Sequence, residues 1–204
     1  MWNSISIRTG ARLHFGLLAV QASTGRNFGG VGLMVDSPEC HLTVVRSEQD
    51  EIHADAELAT RLAAWREGYR QRCPISFCPA ACRIEIQSAI PRHAGLGSGT
   101  QTALALAAAL AIFAGESDIP ATELARRVGR GVRSALGIHG FQHGGLLVEA
   151  GKQQSDEISP LIARLAFPAD WRFLLLTPPS ASGLSGDAER SAFRQLGPYF
   201  RGNA

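Results

Sequence analysis

The most restrictive feature of this sequence lies between residues 82 and 113. Cys82, Ile84 and Ile86 alternate with Arg83, Glu85 and Gln87, the pattern of a strand with one wet face. Pro91 ends that strand. The loop Pro91-Arg92-His93-Ala94-Gly95-Leu96-Gly97-Ser98-Gly99 follows, and Gly99–Phe113 is then apolar nearly all round, as in a central buried helix. Strand, glycine loop and buried helix in that order call for an α/β layer arrangement. They also place a chemical opportunity at the helix mouth. The first N–H groups of a helix lack internal partners, the helix dipole adds partial positive charge there, and glycine lets a ligand approach the backbone. Together these make an anion site, to which Ser98, Thr100 and Gln101 add side-chain donors. The plainer reading of the same residues is a tight turn that lets the helix pack close to the strand. No Gly-Lys-Ser/Thr follows, so the loop is not a Walker loop, and its glycine spacing does not match the dinucleotide fingerprint.

Around this unit the periodicity predicts strands at Trp2–Arg8, Leu13–Val20, Gly32–Val35, His41–Val45, Leu146–Glu149 and Arg172–Thr177, with a turn-rich loop at Gln21–Gly30. Asp55–Arg72 reads as an amphipathic helix with the stripe Leu58, Leu62, Trp65 and Tyr69. A further helix starts at Pro120 and runs to Val128, and a last one covers Asp187–Leu196. Gly129–Gly145, rich in Gly, His and Arg, reads as loop.

The chain has 204 residues, 45% of them hydrophobic and 19% charged, which suits a globular domain with a sizeable core and argues against disorder. A formal net charge of +2 is too small to imply a nucleic-acid or anionic-membrane partner. Lys152 is the only lysine, so anion binding must fall to arginines and backbone N–H groups. Cys40, Cys73, Cys78 and Cys82 match no zinc or redox spacing and read as reduced thiols. Met1–Ile7 lacks the pattern of a signal peptide, and the longest apolar run, Thr102–Ala114, is too short for a membrane span, so the expected location is the cytoplasm.

Pro91-x-x-x-Gly95-Leu96-Gly97-Ser98 resembles the phosphate-binding motif of the GHMP kinase superfamily, and Gly10–Leu17 sits where that superfamily has its first motif. Within it, the sequence is most similar to the β-ribofuranosylaminobenzene 5′-phosphate synthase (beta-RFAP synthase) family. The narrower match rests on Gly99-Thr100-Gln101, on the glycines and arginines of Gly129–Gly145, and on Pro178-x-x-x-x-Gly183-Leu184-Ser185-Gly186-x-x-Glu189. The resemblance implies an α/β (α+β) fold: a ribosomal protein S5 domain 2-like GHMP N-terminal domain over residues 1–178. Residues 179–204 would then lead towards a C-terminal ferredoxin-like domain that is absent or truncated here. An uncovered apolar docking patch, and homodimerisation through it, are expected consequences. GHMP kinases commonly carry Ser-Gly-x-Asp near the position of Ala135–Gly140, and no acid stands there in this chain.

The synthase family condenses 4-aminobenzoate with phosphoribosyl pyrophosphate, losing CO2 and pyrophosphate, in tetrahydromethanopterin biosynthesis. The resemblance implies that Gly95, Leu96, Gly97, Ser98, Gly99, Thr100 and Gln101 bind phosphate, with Mg2+ and no organic cofactor. It assigns catalysis to His14, Arg26, Arg133, Ser134 and His139, and substrate binding to Arg8, Arg12, His93, Arg130 and Phe141; metal ligands are not assigned. Phe15 and Phe28 are further candidates for an aromatic wall beside the substrate ring. The competing expectations are a GHMP-type kinase using ATP and Mg2+, and a non-catalytic ligand-binding or subunit domain.

Overall fold

The computed structural model describes residues 2–18, 25–153, 156–176 and 191–192. Two long antiparallel strands organise it: β1 (Ser4–Leu17) and β2 (Gly30–Arg46), paired from Ser4 opposite Val45 to Leu17 opposite Gly30. The far edge of β2 is shared. Its C-terminal half pairs with β4 (Cys82–Ser88), beside which β3 (Glu51–His53) lies parallel. Its N-terminal half pairs with β5 (Leu146–Glu149), and β5 pairs with β6 (Leu161–Leu165). Over the sheet lie the α-helices α1 (Ala56–Arg72), α2 (Ser98–Phe113), α3 (Ala121–Arg127) and α4 (Leu136–His143).

Helix α2 is the centre of the packing. It touches the other three helices and both long strands, and eleven of its sixteen residues are buried. Leu104, Leu106 and Leu110 meet Leu42, Val44 and Ile84 of the sheet in one core, each buried leucine stabilising the fold by roughly 2 kcal/mol. Helix α1 starts where Asp55 accepts a hydrogen bond from the Leu58 N–H at 3.1 Å. Its stripe residues Leu58, Leu62 and Tyr69 are buried, and Trp65 packs against them.

Several expected elements differ. β1 and β2 are each one strand where two were expected. Their ladder runs through an irregularity at Gly10 and Ala11, which pair with Glu39 and Val35, so Asp36–Pro38 bulge out unpaired. A side chain at Gly10 would lie 2.0 Å from the Val35 carbonyl oxygen, so the close crossing requires glycine. Residues 136–143 form α4 where a loop was expected, because Gly137 and Gly140 serve packing: a Cβ at Gly140 would meet Met34 Sδ at 2.4 Å. β3 and β6 were not expected. The strand expected at Arg172–Thr177 does not form over 172–176; Leu174 and Leu176 are exposed, with no neighbouring strand there among the described residues. Of the helix expected at Asp187–Leu196, only Ser191 and Ala192 are described, and both are helical; the rest, and the expected domain boundary at 178, lie outside the described residues. Leu165, Trp171, Phe173, Leu174 and Leu176 are all exposed on and after β6. No helix among the described residues is long and apolar enough to cross a membrane.

Away from the glycine loop, α1, α3 and the end of α2 are joined by a buried ionic cluster. The Arg127 side chain, 3% exposed, donates to Glu116 at 2.5 and 2.9 Å, to Glu123 at 2.8 Å and to the Tyr69 hydroxyl at 3.0 Å. Burial pushes the Tyr69 phenol up to about 12, so it stays neutral at physiological pH. Removing one member strands the others. Arg127→Met should lower stability by about 3–5 kcal/mol, read as a fall in the urea midpoint with unchanged slope. A loss below about 1 kcal/mol would show that the cluster does not hold these helices together.

Candidate phosphate-binding site

The loop before α2 is shaped by left-handed backbone. His93, Gly95 and Gly97 have φ of 59°, 73° and 72°, and Gly97 is the N-cap of α2 with no side chain capping it. The loop is stitched to the outer edge of β1, whose Arg12 N–H donates to the Leu96 carbonyl at 2.9 Å. Helix α2 has no acidic residue in its first turn. The other helices do have acids at their starts: Asp55 and Glu57 at α1, Glu123 at α3, and for α4 the buried Glu149, which accepts from Ala135 N–H at 2.6 Å. Among the described residues, α2 is the helix whose positive end has no such carboxylate assigned to it.

Arginines gather on that end instead. Arg12 lies over Gly97, with its Cβ and Nε each 3.3 Å from where a Gly97 Cβ would stand. Arg61, from α1, and Arg130, from the segment before α4, flank Gly99 with Nη2 atoms 2.5 and 3.5 Å from its virtual Cβ. Arg130 also donates to the Thr100 hydroxyl at 3.0 Å. Arg92 and His93 are turned aside onto α1, where Arg92 pairs with Asp55 at 2.7 Å and His93 approaches Glu57 at 3.7 Å. The Arg92 hydrogen bond holds the Asp55 carboxyl below its usual range. Arg61 has Glu57 at 3.9 Å and the Trp65 ring at 5.0 Å. Guanidinium groups around free backbone N–H groups suit a multiply charged phosphate.

Residues 58–145, from α1 to the start of β5, match the family model described as GHMP kinases N terminal domain. That segment is similar to the GHMP kinases N-terminal domain. Over 94% of its length it is 32% identical to the Beta-ribofuranosylphenol 5'-phosphate synthase of Methanothermobacter thermautotrophicus, and over 95% it is 31% identical to the protein of that name from Archaeoglobus fulgidus. It spans 63% of the length of each. Among solved structures, a 4-(cytidine 5'-diphospho)-2C-methyl-D-erythritol kinase superposes with a TM-score of 0.56 at 18% identity, covering 80% of this chain and 56% of that one. Homoserine kinase from Cytophaga hutchinsonii gives 0.54 at 17%, covering 83% and 54%. These likenesses show the fold.

The fold brings some of the expected site residues to the loop and uses others elsewhere. Arg12, Arg130, Ser98 and Thr100 are at the loop. Gln101 is fully buried and does not face it: its amide accepts from the Thr9 hydroxyl at 2.7 Å and donates to the Gly137 carbonyl at 2.8 Å, tying β1 to α4. Arg8 lies on the opposite face of the sheet, 65% exposed beside Glu39. Arg26 binds Asp156 at 2.6 Å and the Gly151 carbonyl at 2.9 Å, bracing the turn after β5. Phe141 is partly buried against the core and lines a cavity with Ile119 and Pro120 of the connection between α2 and α3. Phe15 is exposed, and Phe28 is half-buried. His139 donates its Nε2–H to the Ser159 carbonyl at 2.8 Å. Ser134 donates to Glu149, and Arg133 sits half-buried in the same segment. Sequence reading missed Arg61 and Glu149. An arginine on an amphipathic helix looks like solvent surface, and an acid ending a short strand carries no motif.

His14 lies on β1 beside Gly30, where its Nε2 is buried without a hydrogen-bond partner. Burial, and then the neighbouring Arg12 charge, lower its pKa to about 4, so the ring is neutral at physiological pH. The unfolded chain takes up a proton near pH 6.5 that the native ring refuses until about pH 4. Stability from this group is therefore full above about 6.5 and declines as pH falls towards 4. In His14→Gln the urea midpoint should fall less than in the parent between pH 7 and pH 4.5; equal falls would place the acid sensitivity elsewhere. A second expectation concerns Gly97. Its φ of +72° disfavours a branched side chain, and the new methyls would press on Arg12. Gly97→Val should remain cooperatively folded yet lose at least about tenfold in pyrophosphate affinity, roughly 1.4 kcal/mol. Full affinity in the folded variant, measured by calorimetry, would return the loop to a simple packing turn.

Proposed function

We propose that this chain is the pyrophosphate-binding part of a beta-RFAP synthase-like phosphoribosyl transferase that joins an aromatic acid to phosphoribosyl pyrophosphate. The observation that carries the reading is the acid-free start of α2 ringed by Arg12, Arg61 and Arg130. In the reaction, the ring carbon bearing the carboxylate bonds to the anomeric carbon, and the bond to pyrophosphate breaks with its electron pair leaving on the pyrophosphate. The carbon–carboxylate bond then breaks, CO2 departs, and its electron pair restores the aromatic ring. Fixed N–H groups and guanidinium groups stabilise the departing pyrophosphate without reorganising. The similar archaeal proteins, named for a ribofuranosylphenol 5'-phosphate product, support the reaction class. That name places a hydroxyl where 4-aminobenzoate would leave an amine, so both 4-aminobenzoate and 4-hydroxybenzoate are substrates to assay. A role in tetrahydromethanopterin assembly, in the cytoplasm, belongs to the same proposal.

Mg2+ fits this site only as a companion of the pyrophosphate. Among the described residues no group of three His, Cys, Asp or Glu side chains could hold a metal, and the carboxylates nearest the loop, Asp55 and Glu57, are engaged by Arg92, Arg61 and His93.

Pyrophosphate at about a hundredfold over its Kd should raise the melting temperature by several degrees. Incubation with phosphoribosyl pyrophosphate and either benzoate should release CO2 and pyrophosphate together. ADP formation from ATP and an alcohol would replace this reading with a kinase, and binding without turnover of any of these would leave a ligand-binding domain.

A further inference from the structure

The segment that delivers Arg130 to the loop has little structure of its own. Residues 130–135 lie outside helix and strand, and Gly129 and Gly131 have φ of 66° and 91°. The turn after β5 holds it. The Lys152 ammonium donates to the carbonyls of Gly131 at 3.2 Å, Val132 at 3.3 Å and Glu157 at 2.5 Å. Its backbone is fixed by two hydrogen bonds to Asn27, at 2.6 and 2.9 Å. Arg26 braces the same turn through Gly151 and Asp156. Three residues before Lys152, Glu149 grips the other polarity, accepting from Ser134 and from Ala135 N–H. A lysine thus holds the carbonyls of the segment and a glutamate its N–H and O–H groups; Arg133 stands between these two grips, and α4 starts just after the second.

We propose that Lys152, the only lysine of the chain, is a positioning residue for the phosphate site: by gathering the Gly131 and Val132 carbonyls it sets Arg130 against Thr100 and the loop. The proposal rests on the reading of that loop as a pyrophosphate site. An ammonium suits the task, because three donors on one nitrogen can converge on three carbonyls that no regular ladder would satisfy. Removing it leaves those carbonyls to water and frees the segment to move, and the arginine it carries then loses its orientation before any ligand arrives.

The test is a double-mutant cycle on the full chain, with inorganic pyrophosphate as the probe in calorimetry. Lys152→Met should weaken binding about tenfold. Arg130→Ala should weaken it comparably, and adding Lys152→Met to Arg130→Ala should weaken it no further, because the lysine acts through the arginine. Amide exchange over residues 129–135 should accelerate in Lys152→Met without ligand, while exchange in α2 stays slow. Equal affinities in parent and Lys152→Met, or the same tenfold loss in both backgrounds, would overturn the proposal. If the methionine variant does not fold, Lys152→Gln provides the same comparison. A parent that does not bind pyrophosphate sinks the site and this inference together; a parent that binds while Lys152→Met matches it sinks the inference alone.

Discussion

The architecture turns on one electrostatic constraint: helix α2 has no acidic residue in its first turn to meet its positive end, at the end of a helix otherwise locked in the core. A buried helix cannot readily spread that partial charge into solvent. The other helices resolve the same problem with their own acids, Asp55, Glu123 and Glu149. At α2 the fold concentrates positive charge, with Arg12, Arg61 and Arg130 arriving from three separate elements. Like charges converging on a helix start cost energy without an anion, and part of that cost is offset by Glu57 beside Arg61 and by the Trp65 ring beneath it. The same constraint explains the fully engaged amide of Gln101. With both its ends bound inside the protein, the first turn of α2 is held rigidly between β1 and α4, so its N–H groups are aimed before any ligand arrives.

What could be read from the sequence follows the range of the interactions involved. β4, the glycine loop and α2 are specified by neighbours along the chain, and each forms where the pattern placed it. The start of α1 is legible for the same reason, since Asp55 caps its own helix. β1 and β2 were divided because alternation stops at Gly10 and at Asp36–Pro38, and only the pairing across the sheet shows that the ladder runs through them. α4 was hidden by its glycines, whose purpose is visible only with Met34, Thr100 and Gln101 in place. The site divides the same way. Arg12 and Arg130 lie in motif segments and arrive at the loop, whereas Arg61 reaches Gly99 from a helix 38 residues upstream. Arg8, Arg26 and Phe141 lie in or beside equally suggestive segments but point elsewhere, because a motif gives a residue's address and not the direction of its side chain.

The division of labour between arginine and lysine is the last consequence of this geometry. On the proposed reading the loop takes donors that match the oxygens of a phosphate in pairs, which suits the planar, weakly hydrated guanidinium. The segment behind it needs several carbonyls drawn to one point, which suits the compact ammonium with its three donors on a single atom. Lys152 sits where the second task arises, donating to the neutral backbone carbonyls of Gly131, Val132 and Glu157. Exchanging the two kinds of cation would therefore harm both places. A guanidinium at 152 would spread its donors over a plane where the carbonyls converge, and an ammonium at 12 or 130 would lose the paired contact. Composition alone offers one lysine among many arginines as a bias of usage. In the folded chain that single lysine stands where an ammonium is the better donor, in the support of the site rather than in the site itself.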